Sequence, residues 1–283
     1  MFKILEKEAV AHNVWKYVIA ASDVAKKAQP GQFVVLRLHE QGERIPISIS
    51  DWDRDAGTIT LIVQAVGHTT QQLAEMNAGD HILDLLGPLG KPAVIEQVGT
   101  VACIAGGVGT AIIYPEARRH QEVGNRVLTL IGARSRDHLF YQEELAAISE
   151  RVLVATDDGS YGYKGFVTDL LRQLIDDGIH LDQVIAVGPI PMMQAVAELT
   201  KRHDIKTIVS LNPIMVDGTG MCGACRVRVG DEVKFCCIDG PEFDAHQVDF
   251  SSLLRRSQLY ERSGTSCNST ENMGEGCDGQ CHK

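Results

Sequence analysis

Three successive rhythms in the 283-residue sequence predict an all-β barrel, then an α/β domain with a parallel sheet, then a small C-terminal module. The first is a set of short β-branched segments broken by turn residues. The second alternates apolar strands with amphipathic helices, and the third is a glycine-rich loop with closely spaced cysteines. The length suffices for two domains with cores of their own plus an appended module.

The segments FKILEKEAVA, VWKYVIAAS, QFVVLRLHE, RIPISIS, TITLIVQAV and HILDLLG read as barrel strands. Pro30-Gly31, Asp55-Ala56-Gly57 and Ala78-Gly79-Asp80 punctuate them at intervals typical of all-β domains. Two stretches carry chemistry. Arg44-Ile45-Pro46-Ile47-Ser48 sets a cation and a hydroxyl around a proline-stiffened strand, which suits a diphosphate and a ring edge. Val66-Gly67-His68-Thr69-Thr70 offers a glycine, two hydroxyls and the start of a helix expected over Thr70–Met76, a seat for an anion. Each alone is equally what a solvated strand end or an ordinary helix cap looks like.

From about residue 100 the sequence changes to strand–helix alternation. VACIAG, RVLTLIGA, RVLVATDDG, QVIAVGP and TIVSLN are apolar strands, with helices expected after Gly109 and over 138–149, 165–176 and 191–203. That order argues a parallel, doubly wound sheet, whose ligands sit at the C-terminal strand ends. Gly106-Gly107-Val108-Gly109 lies at such an end, where bare backbone can approach a pyrophosphate, although the full G-x-G-x-x-G fingerprint is missing. Pro115 predicts that the following helix starts late or bends. Cys103, inside an apolar strand, reads as a packing residue.

The third region reads MVDGTGMCGACRVRVGDEVKFCCIDGPEFD, which gives Asp217-x4-Cys222-x2-Cys225-x11-Cys237. This is the spacing of a plant-type [2Fe–2S] loop with an aspartate in place of the first cysteine. Thiolates are soft anionic donors, and a carboxylate is a harder but still anionic one. Gly218, Gly220 and Gly223 supply the positive φ that backbone needs to wrap around an inorganic core. Structural zinc would want two close cysteine pairs, and there is one. Cys236 and Cys237 are adjacent. On an extended segment neighbours point to opposite faces, so one of the two serves as the fourth ligand.

A net charge of −10 disfavours a nucleic-acid partner. The N-terminus lacks the apolar core of a signal peptide, and the longest apolar run, about 101–114, is too short for a membrane span. A cytoplasmic location follows, where reduced thiols suit cluster ligation. Residues 263–283 are polar, without apolar periodicity, and read as a disordered tail, although they contain Cys267, Cys277, Cys281 and His282.

In series, these parts resemble the ferredoxin–NADP reductase superfamily. The motifs that carry the resemblance are RIPIS, GPLG at Gly87–Gly90, AGGVGTA, TDDGSYG at Thr156–Gly162, VGPIPMM at Val187–Met193, and DGTGMCGAC…CIDGPEF. The chain is most similar to two groups: the dihydroorotate dehydrogenase electron-transfer subunit, and the small subunit of the electron-bifurcating NADH-dependent ferredoxin:NADP oxidoreductase with its sulfide dehydrogenase relatives. The resemblance implies an FAD-binding barrel over 1–98, an NAD(P)-binding α/β domain over 99–212 and a [2Fe–2S] module over 213–262. It implies FAD contacts from Arg44, Pro46, Ile47, Ser48, Val66, Gly67, Thr69 and Thr70. Contacts to NAD(H) or NADP(H) would come from Gly106, Gly107, Val108, Gly109, Thr110, Asp157, Asp158, Gly188, Pro189 and Met192.

Asp217 matches the bifurcating group, which uses one aspartate and three cysteines, and Cys237 matches its fourth ligand. Arg44 departs from the superfamily pattern, lying four residues before Ser48 where three is usual. The implied function is an electron-transfer flavoprotein subunit that passes electrons between NAD(P)H, FAD and the cluster. Its partner would be a larger flavin and [4Fe–4S] subunit, with ferredoxin reached through that subunit. The alternatives are a dihydroorotate or sulfide dehydrogenase subunit and a flavin-free ferredoxin-like carrier.

Overall fold

A computed structural model of the chain describes residues 1–264, with side chains to residue 258. From residue 265 onward the expected disordered tail, with its cysteines and His282, lies outside the described residues. The N-terminal part is a near-closed antiparallel barrel of strands β1 (Phe2–Ala11), β2 (Val14–Ala20), β3 (Phe33–Arg37), β4 (Ile45–Asp53), β5 (Thr58–Gln64), β6 (His81–Ile82) and β7 (Asp84–Leu89), in the order β6-β1-β2-β5-β4-β3-β7. Alternate side chains fill it, among them Ile4, Tyr17, Ile19, Val34, Leu36, Ile49, Ile59 and Leu61.

A short helix α1 (Ser22–Ala25), not foreseen from the sequence, follows β2, and helix α2 (His68–Glu75) covers one barrel end. Leu73 of α2 is buried, and the Tyr17 hydroxyl donates to its carbonyl at 2.9 Å. The helix starts at His68, earlier than expected, because Gly67 takes the extended N-cap position at φ −125°. HILDLLG divides into two strands, since Leu83 leaves the ladder to donate its N–H to Leu38.

The second unit is a parallel sheet of β8 (Thr100–Gly106), β9 (Arg126–Ala133), β10 (Arg151–Thr156), β12 (Gln183–Val187) and β13 (Lys206–Ser210), with β11 (Tyr163–Lys164) at one edge. The order β10-β9-β8-β12-β13 reverses direction between β9-β8 and β8-β12, so the sheet is doubly wound as expected. Helices α3 (Thr110–Glu122), α4 (Gln142–Ile148), α5 (Val167–Asp176) and α6 (Ile190–Lys201) cover it. Helix α3 starts at Thr110 and runs through Pro115, so of the two expected outcomes, a late start or a bend, the late start does not occur. Ala111, Ile113, Pro115 and Ala117 are all buried, so packing offsets the one intrahelical bond that proline removes. Helix α4 starts later than predicted because Tyr141, at φ 58°, separates it from a 3₁₀ turn over Arg136–His138.

The C-terminal part is a hairpin of β14 (Arg226–Val229) and β15 (Glu232–Phe235), helix α7 (Cys236–Asp239), strand β16 (Glu242–Asp244) and helix α8 (Phe250–Gly264). Strand β16 pairs antiparallel with β13, Ser210 opposite Glu242 and Val209 opposite Phe243, and so extends the nucleotide-domain sheet. Cys225, Cys236, Cys237, Val227, Phe250 and Leu253 share one core with Phe33 and Val35 of the barrel and Ala186 and Val209 of the sheet.

Glu116 of α3 is buried and Glu242 of β16 half-buried where these units meet. Both Glu116 oxygens and Oε1 of Glu242 lack a protein hydrogen-bond partner. Burial, with the other carboxyl nearby, pushes Glu116 well above the ordinary carboxyl range, and burial pushes Glu242 up to about 6. A raised folded-state value means that the folded chain binds protons more tightly than the unfolded one. The stability this supplies is present at low pH and lost as pH rises from the ordinary 4.5 through the folded values. Glu116→Gln is therefore expected to raise Tm at pH 8 and leave it nearly unchanged near pH 4.5. Equal Tm changes at both pH values in differential scanning calorimetry would contradict that origin.

Candidate functional site

Strand β4 starts with Ile45-Pro46-Ile47-Ser48, all half-buried, and the exposed Arg44 precedes it. Pro46 and Ser48 lie opposite Val35 and Phe33 of β3. At the start of α2, both hydroxyls singled out in the sequence already have partners. Thr70 Oγ1 accepts from the amides of Gly67 (2.9 Å) and Val66 (3.1 Å), and Thr69 donates to Glu43 (3.3 Å). This fixes the shape of the loop before the helix.

The C-terminal ends of β8 and β12 lie side by side, at the point where the strand order reverses. A Cβ on Gly188 would come within 2.8 Å of Met192 and 3.0 Å of the Gly106 backbone. A Cβ on Gly109 would sit 2.2 Å from the Val187 carbonyl oxygen. Gly106, Gly109, Gly188, Pro189 and Met192 are thereby gathered at one crevice, while Gly107, at φ +55°, leaves its backbone facing open space. Thr110 turns its hydroxyl back to Gly107 O at 2.8 Å, closing the strand-to-helix turn, and Val108 packs against the small apolar contact between barrel and α3.

Asp157 and Asp158 follow β10. Asp158 Oδ1 accepts from the Ser160 hydroxyl (2.7 Å) and amide (2.9 Å), which hold its carboxyl below the ordinary range. Ser160 in turn accepts from the Arg136 amide at 2.8 Å, joining this loop to the one after β9.

The cysteine loop wraps as its glycines suggest, with Gly218, Gly220 and Gly223 at φ +74°, +84° and +65°. Asp217 accepts from the amides of Thr219 and Cys222, each at 2.8 Å, and these bonds, the Thr219 amide first, hold its carboxyl low and ionised. The Cys225 and Cys237 sulfurs are 3.3 Å apart, and the Cys237 amide points at the Cys225 sulfur at 3.5 Å. Cys222 is exposed, and its sulfur faces the Ala224 amide at 3.5 Å. Among the described residues, no three donor side chains converge on one point as a preformed metal site.

The adjacent cysteines are not on an extended segment, as expected, but begin helix α7. Helical neighbours diverge by about 100°. Cys237 faces Cys225, while Cys236 is buried and burial raises its thiol. Three thiols and an ionised carboxylate, with amides aimed at two of the sulfurs, are a donor set that fits an iron–sulfur cluster.

Comparison with known proteins settles the family. The FAD-binding domain of oxidoreductases matches residues 1–93 and the oxidoreductase NAD-binding domain 103–198. The iron–sulfur cluster binding domain of dihydroorotate dehydrogenase B matches 212–249. A Thermotoga maritima homologue of the dihydroorotate dehydrogenase B (NAD(+)) electron transfer subunit is 46% identical over 258 residues, 91% of each chain. The chain belongs to the family of dihydroorotate dehydrogenase B electron-transfer subunits and their homologues.

The electron transfer subunit from Fusobacterium nucleatum is 32% identical over 253 residues, 86% of this chain and 96% of that one. A chain of the NADH-dependent reduced ferredoxin-NADP oxidoreductase, solved to give insight into flavin-based electron bifurcation, has TM-score 0.86 and 44% identity. It covers 93% of this chain and 98% of that chain. The chain is thus an oxidoreductase electron-transfer subunit with FAD-, NAD- and iron–sulfur-binding domains, as the motif order implied. Among the described residues, no helix is long and apolar enough to cross a membrane.

Sequence reasoning missed the surroundings of the cysteine loop: Phe33, Val35 and Leu89 of the barrel, which face Gly218 and Gly90, and helix α8. The spacing of Phe250, Leu253 and Leu254 was the available signal for α8.

Gly109→Ala is expected to cost on the order of 1–3 kcal/mol, since its methyl must displace strand backbone. Urea unfolding of the variant checks this, and an unchanged midpoint would exclude the close approach.

Proposed function

We propose that the chain carries electrons from NAD(H) through FAD to a [2Fe–2S] cluster and on to a larger flavin and [4Fe–4S] subunit, as part of a bifurcating oxidoreductase. The observation that carries this is the position of β3. It pairs with β4, the strand of the proposed flavin motif, along one edge and with β7 along the other, and its outer face meets the cysteine loop. A Cβ on Gly218 would lie 2.7 Å from Val35 Cγ2. Neighbouring strands are about 4.8 Å apart. The proposed flavin strand is therefore the immediate neighbour of the strand whose outer face carries the cluster loop.

The flavin supplies two-electron hydride chemistry with single-electron release, and the cluster supplies a one-electron carrier. The chain's residues position and insulate. Arg44, Pro46, Ile47 and Ser48 would line the flavin on β4, and the loop Val66–Thr70, held by its internal hydrogen bonds, would present the end of α2 to the diphosphate. Gly106–Gly109, Gly188, Pro189 and Met192 would admit the nicotinamide nucleotide to the crevice, and Asp157 and Asp158 would sit toward its ribose. Asp217, Cys222, Cys225 and Cys237 would hold the cluster. The domain limits 1–98, 99–212 and 213–262 and a cytoplasmic location complete the proposal.

Two features favour the bifurcating assembly over a dihydroorotate one. Asp217 stands where a cysteine is usual, and a solved chain 44% identical over 93% of this one comes from the ferredoxin-NADP oxidoreductase.

Anaerobically purified protein is expected to hold about one FAD and two irons with matching sulfide, the stoichiometry of one [2Fe–2S] site. Iron without flavin would reduce the chain to a carrier, and zinc in place of iron would refute the cluster.

Ligand substitutions provide a further test. Asp217→Ala and Cys237→Ser should lose most of the EPR signal seen after dithionite, while Cys236→Ser keeps it. A full signal in Cys237→Ser would identify the wrong member of the pair.

A further inference from the structure

We infer that Arg256 of helix α8 is a positioning residue for the cluster loop and that its charge raises the potential of the cluster bound there. This rests on the ligand assignment proposed above.

Helix α8 is fixed at its start. Asp249 accepts from the Ser252 amide at 2.9 Å, and the Asp249 amide donates to Arg228 O at 3.0 Å. Phe250 and Leu253 are buried in the core that also holds Cys225 and Cys237. Arg256, one turn beyond Leu253, is thereby turned toward the loop. Its guanidinium spans Cys225. Nη2 donates to Ala224 O at 2.7 Å and Nη1 to Arg226 O at 2.6 Å, the carbonyls on either side of the proposed ligand.

The rest of that backbone is also tied. Gly223 O accepts from the Arg226 side chain at 3.2 Å, and Cys225 O accepts from the Cys236 amide at 3.2 Å. With these carbonyls engaged, the Ala224 and Cys237 amides face the Cys222 and Cys225 sulfurs.

Two physical consequences follow. A planar fork can grip two carbonyls at once, which an ammonium cannot do in the same geometry. A fixed cation beside a cluster favours its reduced, more negative state, and such surroundings set cluster potentials. Position and charge can be separated by substitution. Arg256→Lys keeps the charge and loses the fork, while Arg256→Gln loses the charge and keeps at most part of the hydrogen bonding.

The test uses full-chain protein carrying its cofactors. EPR-monitored redox titration reads the cluster potential, loss of visible absorbance to a chelator reads cluster retention, and flavin content with circular dichroism reads the fold. Arg256→Gln is expected to shift the potential to more negative values, and Arg256→Lys to shift it less. Both are expected to lose the cluster to chelator about tenfold faster, the change that one charge-assisted hydrogen bond would give.

Wild-type potentials and chelation rates in both variants would overturn the inference while leaving the ligands assigned. In Arg256→Gln, faster cluster loss at an unchanged potential would overturn the part assigned to charge. If Arg256→Gln fails to retain flavin and native circular dichroism, Arg256→Lys decides alone: wild-type chelation rates overturn the inference, and tenfold faster loss at a near-native potential supports it. An intact cluster in Cys225→Ser would instead refute the ligand assignment, and the role of Arg256 with it.

Discussion

Strand β3 belongs to two cores at once, and the arrangement of the molecule depends on it. Val34 and Leu36 point into the barrel, while Phe33 and Val35 point into the core shared by the nucleotide-domain sheet and the cysteine module. The period-two alternation of a strand, applied to an unbroken apolar run, makes one segment the wall between them. Its outer face allows close contact because its partners are small. The Cβ positions of Gly90 and Gly218 fall 3.0 Å from Phe33 and 2.7 Å from Val35. Side chains at those glycines would push the loop away from the barrel.

A second junction joins the same units from the other side. Strand β16, although it follows the cysteine loop, completes the nucleotide-domain sheet beside β13, and the Lys91 amide at the barrel's end donates to Gly240 O at 2.7 Å. The cysteine module is therefore held by the barrel through β3 and by the sheet through β16. In the proposed relay this double attachment fixes the spacing between flavin strand and cluster loop, while the buried Glu116–Glu242 contact shows that the junction tolerates some electrostatic cost.

Much of this was legible in the sequence, and the reasons are local. The barrel strands and the alternating sheet follow from periodicity and turn residues. The glycines at Gly106–Gly109 and in the cysteine loop follow from close approach and positive φ. The errors are equally physical. Of the late start or bend expected at Pro115, the late start does not occur, because burial along the helix outweighs one lost hydrogen bond, and Cys236-Cys237 is helical where an extended segment was expected. Long-range contacts were out of reach. Nothing in the FVVLR run states that its second face would meet Gly218, nearly two hundred residues away, or that α8 would return an arginine to the loop.

In the proposed cluster loop, the orientation of the candidate ligands is divided between near and distant residues. Asp217 is oriented locally, by the amides of Thr219 and Cys222 within its own turn. Cys225 is oriented remotely. Its sulfur meets Cys237 across the hairpin, its carbonyl is bound by the Cys236 amide, and its flanking carbonyls are bound by Arg256. A motif records the residues that would bind iron, because their chemistry fixes their type. The residues that aim them need only reach a carbonyl, so they can come from any element the fold brings near.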